Sequence, residues 1–112
     1  MIERLPSGLL AKALIRRVHD AGGSAMVLAR GDDQAGALLV LLLERGSEPR
    51  FVERGIGPDG RTALIRTGPR EEDMEAIAAY WRRRVQRDPD LWVIELDIPE
   101  GERFVAETIA SN

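Results

Sequence analysis

Arg82, Arg83, Arg84 and Arg87 crowd the start of the stretch RRRVQRDPDLWVIE, which continues through Asp88, Pro89, Asp90 and Trp92. A guanidinium is a rigid fork of donors that matches phosphate and carboxylate, so such a cluster is candidate chemistry for phosphate or an acidic partner. Consecutive helical residues point about 100° apart, and the arginines cannot all face one ligand. Arg83 and Arg87, four positions apart, share a face. The same residues have a structural reading. Cations suit the last turns of a helix, proline disfavours helical geometry in the residue before it, and Trp92 opens an apolar strand face. Element chemistry accounts for the whole segment. Binding through Arg83 and Arg87, flanked by Arg82 and Arg84, stands as the alternative.

Other chemistry-bearing groups are sparse. His19 beside Asp20 is a candidate acid/base pair, because histidine titrates near neutrality, yet adjacent helical side chains diverge. It would need the Asp32–Asp33 loop to converge on it. Asp32, Asp33, Asp88 and Asp90 could bind a hard cation, but the ordered ligand series of an EF-hand is absent and turn aspartates explain them. Cysteine is missing, which removes disulfides, thiolate nucleophiles and cysteine zinc sites. The serines lie in no nucleophile elbow, and the glycines form neither GxGxxG nor a Walker A loop. No catalytic residue, metal site or cofactor is assigned.

The elements that must position these groups follow from spacing. Ser7 reads as an N-cap, and Leu10, Leu14 and Val18 recur at helical intervals up to Gly22-Gly23. Ser24 to Arg30 and Gly36 to Glu44 read as strands around a Gly31–Gly36 turn, a hairpin candidate. Ala37 to Leu43 is uninterrupted and apolar, so that strand has two buried faces and a central place in the sheet. Glu48–Ile56 and Arg61–Arg66 are weaker strands around Gly57-Pro58-Asp59-Gly60, suited to an edge or a projecting hairpin. A second helix spans about Arg70 to Arg87, with Met74, Ile77, Trp81 and Val85 in one stripe and Glu71, Glu72 and Asp73 at its start. Leu91–Ile98 is a strand, and Arg103–Ile109 reads as a last one.

The expected fold is therefore α+β: a single domain with one mixed, largely antiparallel sheet and two helices, in the order α-β-β-β-β-α-β-β. With 112 residues the chain can bury its own core. A net charge of −3 gives no general attraction to nucleic acid or anionic lipid. No apolar run approaches the roughly 20 residues of a membrane span. Without a basic segment and apolar core at the N-terminus, cytoplasmic residence is the expectation.

Several segments taken together resemble a known family. Ala13-Leu14-Ile15-Arg16-Arg17 leads to Gly22-Gly23, then to Arg30-Gly31-Asp32 with Ala35-Gly36, and finally to Asp88-Pro89-Asp90-Leu91-Trp92-Val93-Ile94-Glu95. The combination is similar to domain-of-unknown-function family 1491, short bacterial proteins found mainly in alphaproteobacteria. The resemblance implies a small single-domain bacterial protein and supplies no activity or cofactor. It marks Asp88, Pro89, Asp90 and Trp92 as a family signature or interaction segment.

The leading expectation is a non-catalytic protein-interaction module that binds a protein partner or itself. It rests on the strand that needs cover on both faces, the thin supply of two helices for six strands, and an open hairpin edge. Nucleic-acid or phosphate binding through the arginines is the second reading, and a small-ligand or enzyme domain using His19 and Asp20 the third.

Overall fold

The computed structural model describes residues 5–70 and 72–110. The elements are α1 (Ser7–Asp20), β1 (Ser24–Ala29), β2 (Leu38–Glu44), β3 (Ser47–Ile56), β4 (Thr62–Thr67), α2 (Met74–Arg87), β5 (Trp92–Asp97) and α3 (Gly101–Val105). A π-helical turn, Ala106–Ala110, continues α3. The strands form one sheet in the order β1-β5-β2-β3-β4. β2 and β5 run parallel, and the other neighbouring pairs are antiparallel. The fold is α+β with a mixed, largely antiparallel sheet.

β2 holds the centre. Leu38 through Leu43 are all buried, as an apolar run without alternation demands. On one face, Leu38, Val40 and Leu42 pack with Leu10, Leu14 and Val18 of α1 and with Trp92, Ile94 and Leu96 of β5. On the other, Leu39 and Leu41 pack with Phe51, Val93 and Ile77, and Tyr80, Trp81 and Val85 of α2 lie alongside.

The chain departs from the sequence expectation in several places. Arg103–Ile109 is helical, so there are five strands and three helices. Phe104, Val105 and Ile109 follow a helical spacing, and a short apolar run fits either period until its packing surface is known. All three are buried in the α1-side core. Arg50 secures this segment by a bidentate pair to Glu102, at 2.6 and 2.8 Å. The added helix supplies the cover that two helices seemed unable to give.

The second departure is the hairpin. β1 and β2 are not neighbours, because β5 lies between them. The third is Ser7, which is the first helical residue behind Pro6 and caps nothing. α2 begins later than Arg70, at Met74, where Asp73 Oδ1 accepts from the Glu75 and Ala76 N–H groups at 2.9 and 3.4 Å. Glu71 lies outside the described residues.

At the far end, the β2–β3 turn places Arg45 and Gly46 at φ 51° and 75°, as a two-residue type I′ hairpin requires. The Asp97 carboxylate accepts both of their N–H groups, at 2.7 and 2.8 Å. The end of β5 is thus tied to the tip of the neighbouring hairpin.

Phe104→Ala is expected to lower stability by about 3–5 kcal/mol in urea unfolding, the usual cost of truncating a buried aromatic residue. A change near zero would mean that this segment does not pack as described.

Candidate functional site

Asp88, Pro89, Asp90 and Trp92 meet the Gly31–Gly36 loop at one corner of the molecule. The Asp32 N–H donates to the Asp90 carbonyl at 3.0 Å, and the Trp92 N–H donates to the Ala37 carbonyl at 2.8 Å. The Trp92 indole Nε1–H donates to the Asp32 carbonyl, also at 2.8 Å. This approach needs glycine: a Cβ on Gly31 or Gly36 would lie 2.1 or 2.0 Å from the Asp90 carbonyl oxygen. The Asp32 carboxylate holds the loop by accepting from the Gln34 and Ala35 N–H groups. The Gln34 and Asp33 carbonyls in turn receive the Ser7 and Gly8 N–H groups at 3.2 and 2.9 Å. The buried Ser7 hydroxyl donates to the Gly36 carbonyl. The start of α1 is therefore satisfied by loop carbonyls in place of a side-chain cap.

Within that corner Asp90 acts through its backbone and Trp92 through its indole and backbone. Asp88 Oδ1 accepts from the Asp90 N–H at 3.1 Å, shaping the turn that contains Pro89. Arg30 lies 5.3 Å from the Trp92 ring centroid and pairs with Asp33 at 3.1 Å. Asp88, Pro89, Asp90 and Trp92 thus fasten the Gly31–Gly36 loop to the sheet.

The arginines separate into different roles. Arg84 turns inward, donating to Glu53 at 2.8 and 2.9 Å and to the Tyr80 hydroxyl at 2.9 Å. Arg82 lies 5.4 Å from the Trp81 ring centroid. Arg83 and Arg87 are exposed and form no ion pair among the described residues. Arg83 and Arg87 keep open donors that anion binding would use, whereas Arg84 does not.

His19 and Asp20 are exposed near the C-terminal end of α1, while Asp33 sits at its start. Eleven residues of helix from Gly8 to His19 put about 17 Å along the axis between the two groups. They form no common pocket, and the acid/base reading loses its geometry.

Two clefts of about 400 and 410 Å³ are present. The first is lined by charged groups including Arg50, Arg66, Arg70 and Glu102, with Arg50 and Glu102 already paired. The second has apolar walls from Leu5, Leu10, Leu38 and Ile109 beside the signature loop.

One feature was missed from sequence. β1 is an edge strand, Ser24-Ala25-Met26-Val27-Leu28-Ala29, with no charged residue and no proline. Met26 and Val27 are 56% and 41% exposed. The short apolar run signals a strand, but only the strand order shows that this one has a neighbour on one side alone.

A family model described as "Protein of unknown function (DUF1491)" matches residues 5–106. The chain belongs to the DUF1491 family. A crystal structure of a DUF1491 family protein from Caulobacter crescentus CB15 has 31% identity and a TM-score of 0.78, covering 90% of this chain and 94% of its own. An NMR structure of a DUF1491 family protein from the same bacterium has 31% identity and a TM-score of 0.75, covering 92% and 94%. The solution structure of protein Atu0922 from A. tumefaciens has 31% identity and a TM-score of 0.68, covering 88% and 89%. No curated protein matches the chain. Among the described residues of this DUF1491 protein, no helix is long and apolar enough to cross a membrane.

In this DUF1491 chain the Glu53–Arg84 pair fastens α2 to β3. Burial pushes the Glu53 carboxyl up, but the paired Arg84 guanidinium more than reverses this and holds it below its ordinary value of 4.5. The pair with Glu53 raises the Arg84 guanidinium against a smaller effect of burial. A depressed carboxyl stabilises the fold fully above the unfolded pKa, and that contribution is lost as pH falls through the folded value.

Glu53→Gln should therefore cost about 1–3 kcal/mol at neutral pH, the penalty for leaving a partly buried charged group without its partner. It should also flatten the acid limb of the stability curve below the ordinary carboxyl range; urea midpoints measured across pH test both effects. At the corner, Trp92→Phe should cost about 1 kcal/mol for one lost hydrogen bond. Gly36→Ala should cost more than Trp92→Phe, because its methyl meets backbone. A harmless Gly36→Ala would contradict the close approach.

Proposed function

We propose that this DUF1491 protein is a non-catalytic interaction module that docks a protein by strand addition along β1. The uncharged, exposed edge carries this reading. An edge strand has a row of unpaired backbone donors and acceptors, and soluble proteins commonly shield it with charge, proline or cover. β1 has neither charge nor proline within its span, whereas the opposite edge, β4, carries Arg66 and contacts the π-helical turn. Backbone pairing would give affinity and the alternating side chains selectivity. The need for extra cover over β2 no longer supports this function, since three helices supply it.

The reading is tested with a tagged chain produced beside an untagged copy in an alphaproteobacterial host, with nuclease-treated captures read by mass spectrometry. Stoichiometric protein prey should be retained by the wild type and lost with Met26→Lys. Prey held equally by both would remove β1 as the docking edge.

Phosphate or nucleic-acid binding remains a second reading because Arg83 and Arg87 share an exposed face. It expects retention on immobilised nucleic acid that falls steeply with salt. Replacing both arginines with glutamine should then lower the salt slope by about 2. An unchanged slope would exclude this site.

A further inference from the structure

We infer that α2 is a displaceable lid over one face of the central strands, latched by the Glu53–Arg84 pair, and that it opens as a unit while the sheet stays folded. This device is independent of strand addition at β1, because it concerns a face that the closed molecule hides.

α1 and α2 are equal in length, at 14 residues each, but unequal in what they bury. α1 buries Ser7, Gly8, Leu10, Ala11, Leu14 and Val18. On α2 only Ile77 is buried. Tyr80, Trp81 and Val85 complete the stripe of α2, and each stays partly exposed. Hydrophobic stabilisation scales with the apolar area withdrawn from water, so α2 adheres more weakly than α1.

Polar ties follow the same division. α1 is held at its start by the loop carbonyls that receive the Ser7 and Gly8 N–H groups, and further along by Arg17, which donates to Glu107 and Thr108. Among the described residues, the hydrogen bonds from α2 to the sheet are the two that Arg84 gives Glu53. The Phe51 and Tyr80 rings, with centroids 4.9 Å apart, add an aromatic contact. Elements with little burial and few ties are the ones that open without global unfolding.

Pivots flank the helix. Before it, Gly68 sits at φ 72°. After it, the chain leaves helical geometry at Asp88 and is fixed again where the Asp90 carbonyl accepts the Asp32 N–H. The second pivot therefore lies outside the corner contacts, and β5 keeps its place when α2 swings. Beneath the lid lie Leu39, Leu41, Phe51 and Val93, all buried in the closed state. Opening uncovers them, while α1 and α3 keep the opposite face of the sheet covered.

Native-state hydrogen exchange of the full chain, read amide by amide by NMR, tests the lid. In the wild type, α2 amides should have opening constants at least ~10-fold larger than the buried amides of β2 and β5. Ile109 lies in the α1-side core and stays packed when α2 opens. Ile109→Val should therefore raise the opening constants of β2 and β5 about fivefold, the usual cost of that truncation, and leave those of α2 unchanged. Glu53→Gln removes the latch and should raise α2 opening about tenfold. Equal opening constants in α2 and β2, or a parallel rise in both with Ile109→Val, would overturn the lid, because α2 would then unfold only together with the sheet. An α2 opening constant unmoved by Glu53→Gln would overturn the latch.

Discussion

The Asp90 carbonyl oxygen occupies a space that only glycine leaves open at two positions of the facing loop. Gly31 and Gly36 approach it so closely that a side-chain carbon at either would overlap the oxygen. The loop can therefore bring its Asp32 N–H to Asp90 and its Asp32 carbonyl to the Trp92 indole. β5 starts where β1 has just ended and where β2 is about to begin. Fastening that start to the intervening loop is compatible with β5 lying between the two strands. The same loop supplies the carbonyls that satisfy the beginning of α1, so strand order and helix placement share one set of contacts.

Charged ties complete the attachment of the remaining elements. Asp97 joins the end of β5 to the β2–β3 turn, Arg50 joins β3 to α3 through Glu102, and Arg84 joins α2 to β3 through Glu53. In the last two, arginine makes bidentate contacts that combine attraction with fixed geometry. Arg50 and Arg84 are thereby spent on the fold. Arg84 belongs to that structural group although it stands beside Arg83 in the sequence. One step along a helix turns a side chain by about 100°, enough to separate an internal tie from a solvent-facing donor.

The two sheet edges differ in a way that bears on partners. β4 carries an arginine and meets the C-terminal helical turn, while β1 presents uncharged residues and exposed Met26 and Val27. Both sheet faces are covered by the chain's own helices, so the case for association moves from the faces to this edge. The corner formed by Asp88, Pro89, Asp90 and Trp92 has a structural explanation in the loop it fastens. Distinctive sequence and partner contact need not coincide, since glycine and tryptophan can be demanded by a backbone approach alone.

The sequence by itself determined the α+β class, the central position of the apolar β2 run and the extents of most elements. Those depend on periodicity, on turn residues and on whether one face or two must avoid water, all local properties. The segment from Arg82 to Glu95 also showed its structural logic in sequence: charged helix end, proline stop and apolar strand. Tertiary structure decided what local pattern leaves degenerate. Phe104, Val105 and Ile109 became helical against the α1-side core, and β5 separated β1 from β2. His19 was placed far from Asp33 by the length of α1, and Arg84 was separated in role from Arg83. The open edge of β1 was decided at the same level. A strand's sequence specifies its two faces, whereas its neighbours are chosen by contacts distant along the chain, here through a glycine slot, an indole hydrogen bond and a carbonyl oxygen.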